Sequence, residues 1–111
     1  MHDPDSIFSF SNLALLRHQQ GRVKEALELN KQGISRLSTE ANELTINYRY
    51  GFQMRIAAQH EELDEFDDAA DYYQRAIASA LSMQKGGDER KQAAVFALAD
   101  MKVAMALRGA R

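Results

Sequence analysis

Along most of this chain, apolar residues return every three or four positions rather than every two. That period places them on one side of an α-helix, and no stretch alternates as a half-buried strand requires. The clearest run spans Leu63 to Leu81, with Phe66, Ala69, Tyr73 and Ala76 as its skeleton. Its two alanines leave hollows that Phe66 and Tyr73 flank, a face suited to close packing against another helix. The same skeleton occurs earlier as Val23, Ala26, Asn30 and Gly33. Leu27, Ile34 and Leu37 extend the earlier stripe, and Ala70, Ile77 and Leu81 the later one. Ala26 and Ala69 lie 43 positions apart. A helix repeated with its small-residue pattern predicts stacked helical hairpins.

The rest of the pattern predicts five helices. Asp3 before Pro4 reads as a cap and first turn. Ile7, Phe10, Leu13 and Ala14 then form one apolar face, Phe8, Leu15 and Leu16 a second, and Gly21 closes the helix. The second helix runs from about Arg22 to Leu37, with Glu25, Glu28 and Lys31 on its wet side. Ser38 and Thr39 mark the next boundary and supply a cap. A third helix spans about Glu40 to Glu62, with Leu44, Tyr48, Phe52, Ile56 and Leu63 as the expected buried stripe. Gly51 costs that helix about 1 kcal/mol against alanine, so a close approach is expected there. Asp64 is the expected cap of a fourth helix, about Glu65 to Gln84, and Gly86-Gly87 is the clearest break. Asp88 then caps a fifth, about Glu89 to Leu107. The apolar residues of this last helix cover more than one face, which predicts that it is covered on both sides. The lone proline, Pro4, stands outside every long periodic segment, so nothing forbids long helices. The fold class is therefore all-α: two antiparallel helical hairpins plus a C-terminal capping helix. One domain covers residues 1–111, with units at about 7–38 and 41–84 and the last helix at about 89–107.

These residues resemble the tetratricopeptide repeat family, which pairs two antiparallel helices and places small residues where they cross. The matching small positions are Ala14, Ala26 and Gly33 in the first unit and Ala57, Ala69 and Ala76 in the second. The usual repeat is 34 residues, so the 43-residue interval is similar to the longer-helix variants. The chain departs from the family at Gln53, where an aromatic residue is expected, and at Arg17 and His60, where a tyrosine is common. The proline that often ends a repeat is missing. The resemblance implies a concave side lined by the first helix of each hairpin, where a peptide or helix of another protein binds. By matching positions that side holds Phe8, Ser11, Leu15 and His18, then Asn47, Tyr50, Met54, Ala58 and Glu61. The latter five advance by three or four residues each and so share one helix face, distinct from the Leu44 stripe. Met and Tyr suit an adaptable apolar surface. Ser11, Leu15, Met54 and Ala58 cannot supply the Lys and Asn clamp with which some family members grip a partner's terminal carboxylate.

Composition narrows the chemistry. The net charge of −2 supplies no basic field to recruit nucleic acid. The absence of cysteine excludes disulfides, thiol catalysis and thiolate metal sites. Met1-His2-Asp3-Pro4-Asp5 lacks the basic and apolar regions of a secretory signal, and no apolar run approaches membrane-spanning length, so a cytoplasmic protein with no membrane partner is expected. His18 and His60 sit in no His-x-x-x-His or Glu-x-x-His pair, and no metal site is expected from spacing. Seven acids lie between Glu61 and Asp71, where they are expected to complement the N-terminus of the fourth helix; the competing reading is an acidic corner that meets a basic partner or a cation. Neither a nucleophile turn nor a phosphate-cradling loop is present. The expectation is a binding module rather than an enzyme, with no cofactor. Its partner is another protein or peptide, or a second copy in a homodimer. The competing reading is a structural, self-associating helical bundle, or a fragment of a larger repeat protein.

Overall fold

The computed structural model describes residues 4–37 and 42–109, with side chains from Ser9 onward. Five helices follow one another: α1 (Pro4–Gln19), α2 (Val23–Ser35), α3 (Glu43–Glu62), α4 (Phe66–Leu81) and α5 (Gly87–Gly109). Each packs on the next in chain order as an antiparallel neighbour, and no strand occurs among the described residues. The thinnest dimension is 18 Å, room for only two helix layers at 8–10 Å spacing. No helix can therefore be enclosed all round.

The small residues decide where the helices meet. Ala14, Ala26, Gly33, Ala57, Ala69 and Ala76 are all buried. A Cβ added to Gly33 would lie 2.7 Å from Phe52 Cε1 and 3.3 Å from Phe10 Cβ, so α2 has no room for a side chain there. Two cores result, one on each side of α3. Leu27, Leu37, Phe52 and Ile56 make the first, with Ile34, Tyr48 and Leu63 against it. Ala57, Ala69, Tyr73 and Met101 make the second, where α3, α4 and α5 converge, and Tyr72 packs on both.

Several boundaries and faces differ from the sequence reading. Asp64 does not cap α4; its φ of +61° places it in the turn, and Glu65 precedes the helix without a side-chain cap bond. Asp88 lies inside the first turn of α5, which begins at Gly87 after a left-handed Gly86. α3 is capped by Asn42, whose side-chain oxygen accepts from Thr45 N at 2.9 Å. Asp3, Ser38 and Thr39 lie outside the described residues. Gly51 makes no close approach, since an added Cβ would meet only the Arg55 guanidinium, at 3.5 Å.

The expected α3 stripe holds at Phe52 and Ile56 but fails at Leu44, which is 64% exposed in the first turn. Polar residues occupy the interior instead. Asn30 Nδ2 donates to Gln59 Oε1 at 3.0 Å, and Ser79 Oγ donates to Gln53 Oε1 at 2.7 Å. These pairs satisfy groups whose burial would otherwise be costly. α5 also differs from expectation, because the described residues cover it on one side only.

Candidate functional site

The residues expected to line a concave groove are not all free for a partner. Phe8 lies outside the described side chains. Ser11 is half-buried and Leu15 is exposed. His18 Nε2 sits 2.8 Å from Glu62 Oε1, joining α1 to the end of α3. On α3, Asn47 Nδ2 donates to the Glu43 carbonyl at 2.7 Å, and Tyr50 OH donates to the Arg90 carbonyl at 2.8 Å. Met54 packs on the second core, and Glu61 Oε1 accepts from Tyr73 OH at 3.1 Å. Ala58 alone of the five α3 residues is exposed. Burial raises the Tyr50 phenol pKa, against a smaller opposing influence of Arg90. Tyr73 is raised far more, first by burial and then by the Glu61 carboxylate beside it, so it holds its proton and remains a donor.

Tyr50 thus fastens α3 to α5. Tyr50→Phe is expected to cost about 1 kcal/mol by losing one hydrogen bond, and Tyr50→Ala about 2 kcal/mol by also losing a half-buried ring. Urea unfolding measures both; equal stability of Tyr50→Phe and the parent protein would show that the Arg90 bond contributes nothing. Beyond Asn47, a cleft of about 580 Å³ is lined by Glu43, Gln84, Lys85, Gly86 and Arg90. Two of its polar groups already hold the α4–α5 loop. Glu43 Oε1 accepts from Gln84 N at 2.8 Å, and Arg90 donates to the Lys85 carbonyl at 3.4 Å.

The largest uncovered apolar surfaces lie on the two outer helices. Leu13, Leu15 and Leu16 are exposed on α1; Val95, Phe96, Val103, Met105 and Leu107 are exposed on α5. Ala94 and Met101 hold α5 to the body, while Leu98 packs inward. At 100° per residue, Phe96, Ala99, Val103 and Ala106 lie opposite that buried line. Their spacing repeats the skeleton Phe66, Ala69, Tyr73, Ala76 position for position. On α4 the last three of those residues are buried; on α5, Phe96 is 67% and Val103 59% exposed. Lys91 and Lys102 border the exposed stripe on one side and Glu89 and Asp100 on the other. The signal was readable in the sequence as a third copy of the skeleton, but the abundance of alanine in this helix conceals it.

At the α3–α4 turn the acidic corner is largely paired. Asp64 meets Arg108, Asp71 meets Arg75 at 3.0 Å, and Glu62 meets His18. His60 is buried and stacks on Tyr72, with ring centroids 5.7 Å apart, and its Nδ1 lies 3.0 Å from Glu65 Oε1. Helical spacing rules miss this contact because it crosses a turn. In comparisons with known proteins, no family model, curated protein or solved structure matches this chain. Among the described residues, no helix is long and apolar enough to cross a membrane.

Proposed function

We propose that this chain is a protein-interaction module that receives a partner helix on the outward face of α5 and carries out no covalent step. The observation that carries this reading is the uncovered stripe Phe96, Ala99, Val103 and Ala106. It has the large-and-small relief that α4 uses for packing, with none of the described residues covering it. An amphipathic helix laid into such a face is a recurring mode of recognition, read through anchors at three- and four-residue steps. Phe96 and Val103 are the anchors, Ala99 and Ala106 allow close approach, and the two charged borders set orientation. The resemblance to tetratricopeptide repeats supports a binding role, although it places the partner on the concave side. There Tyr50, Met54 and Glu61 are already engaged within the chain.

A second reading, that the occupant is another copy, draws on the same face, because both outer helices expose apolar side chains. The test is co-purification from the native host with the parent protein and with a Phe96→Asp, Val103→Asp double variant, followed by sedimentation of each. Both positions are exposed, so the variant is expected to keep the melting temperature while partner recovery falls at least tenfold, the loss typical of a central anchor. A dimer of the parent that becomes monomeric in the variant assigns the face to self-association. Undiminished partner recovery by the variant contradicts the proposal.

A further inference from the structure

We propose, on the reading that α5 receives a partner helix, that the occupant belongs to another protein and is a counterpart of α4. It lies antiparallel to α5, with small residues seven positions apart, apolar residues between them and a carboxylate at its start. The register of α5 on the body carries this. α3 turns Phe52, Ile56 and Gln59 towards α2, where Phe52 lies against Gly33 and Gln59 accepts from Asn30. Forty-two residues further along, Ala94, Leu98 and Met101 are turned inward, with Leu98 and Met101 in the second core beside α4. Both helices therefore sit in the same phase on the helix before them. On its other side α3 meets α4 and its N-cap through Gln53, Ala57, His60 and Glu61. The same step leads from these to Val95, Ala99, Lys102 and Val103, all exposed. α5 thus presents, uncovered by the described residues, the face on which α3 holds α4.

The residue exchanges along that face define the occupant's chemistry. Ala57 shares the second core with Ala69 of α4. Ala99 keeps the small residue, so the occupant carries alanine or glycine where it crosses. Gln53 and Glu61 accept hydrogen bonds from the hydroxyls of Ser79 and Tyr73. Val95 and Val103 stand in their places and accept none, so a hydroxyl buried there would lose its partner. The occupant is therefore apolar at both points. His60 Nδ1 lies 3.0 Å from the Glu65 carboxylate just before α4. Lys102 takes the place of His60 with a permanent charge, which calls for an acid at the start of the occupant. Lys91 takes the place of Arg49, which borders the α3–α4 cleft beside Arg75. It stands about three turns from Lys102 on the same border, so a second acid lies about three turns into the occupant. Asp100, in place of the exposed Ala58, repels such acids from the opposite border.

A folded second copy does not supply this helix. The small residues of α2 and α4 are already buried, and α1 exposes Leu13, Leu15 and Leu16 while burying Ala14. Two α5 helices set antiparallel about a two-fold axis keep each border on its own side. Lysines would then face lysines and acids would face acids, which is repulsive.

A synthetic peptide of residues 63–84 with Tyr73→Leu, Arg75→Glu and Ser79→Ala carries these features. Asp71→Lys, joined to Asp67 by a lactam bridge on the exposed side of α4, holds it helical. Titrated into the intact chain, it is expected to bind one to one and to move the amide resonances of Val95, Ala99 and Val103 but not of Ala58. Ala69→Leu with Ala76→Leu in the peptide is expected to weaken binding at least tenfold. A peptide with Glu65→Lys that keeps Arg75 is expected to bind the parent chain at least threefold less tightly and to recover against the Lys91→Glu, Lys102→Glu chain. No binding at hundreds of micromolar, binding indifferent to both peptide changes, or shifts centred on Ala58 overturns the proposal. A parent chain that dimerises through α5 overturns it as well. The docking face and the occupant's chemistry fail separately. If the Phe96→Asp, Val103→Asp variant loses its host partner but the peptide does not bind, the chemistry is wrong and the face stands. If the peptide binds but the variant recovers the host partner in full, the functional reading falls and the proposal with it.

Discussion

Gly33→Val will remove a large share of the domain's stability. The Cβ alone would lie 2.7 and 2.8 Å from Phe52 Cε1 and Cζ, and valine adds two methyl groups beyond it. Phe52 cannot swing aside, because it is 1% exposed and belongs to the first core with Leu27, Leu37 and Ile56. Backing α2 away from α3 instead would open the seam where Asn30 meets Gln59. Overpacking of this kind costs about 3 kcal/mol at its usual upper range, against total stabilities of about 5–15 kcal/mol. The small gain from replacing a helical glycine, at most about 1 kcal/mol, does not offset it. Thermal unfolding should fall by more than about 10 °C. Gly51→Ala supplies the contrast, since its Cβ meets only a mobile guanidinium and the helix gains propensity. That variant is expected to match or exceed the parent in stability. If both substitutions leave the melting temperature unchanged, Gly33 is not at a crossing.

Ala69→Leu should be the next most damaging change. Ala69 is fully buried where α3, α4 and α5 converge, in contact with the cluster of Ala57, Tyr73 and Met101. A leucine there must displace helices on two sides, at about 1–3 kcal/mol. The control has to be exposed and lie on the same helix. Ser79 is unsuitable, because its hydroxyl donates to the buried Gln53 side chain at 2.7 Å. Ala70 packs partly against the same cluster as Ala69. Ala78 is exposed, and Ala78→Leu is expected to shift stability by no more than about 0.5 kcal/mol. Equal melting temperatures for Ala69→Leu and Ala78→Leu would remove Ala69 from the junction.

The crossings were legible in the sequence because alanine and glycine at three- and four-residue steps have few other uses in a helix with aromatic neighbours. All six small positions named from the sequence are buried. The faces of α3 were harder to read, for a definite reason. Its interior is shared between two cores, so apolar residues are needed on both sides, and Gln53, Gln59 and His60 are drawn in by partners on other helices or across a turn. A hydrophobic count cannot detect a glutamine whose burial depends on a distant Ser79 or Asn30. Leu44 fails in the opposite direction, being apolar in the first turn of α3 yet 64% exposed. The caps follow turn geometry: at the α3–α4 junction the chain turns left-handed at Asp64, one residue before the N-cap. Of the expected groove, the stripe Asn47 to Glu61 was visible as a face, but not that Arg90 and Tyr73 take up its polar groups.

The central claim is that a partner meets the outward face of α5. Site-specific photo-crosslinking in the native host tests it most directly, with one photoreactive residue at Phe96 and, separately, at Ala58, the exposed member of the α3 stripe. The account predicts a discrete covalent adduct, with another protein or a second copy, from position 96 and none from position 58. An adduct from position 58 alone, or from neither position, would contradict it.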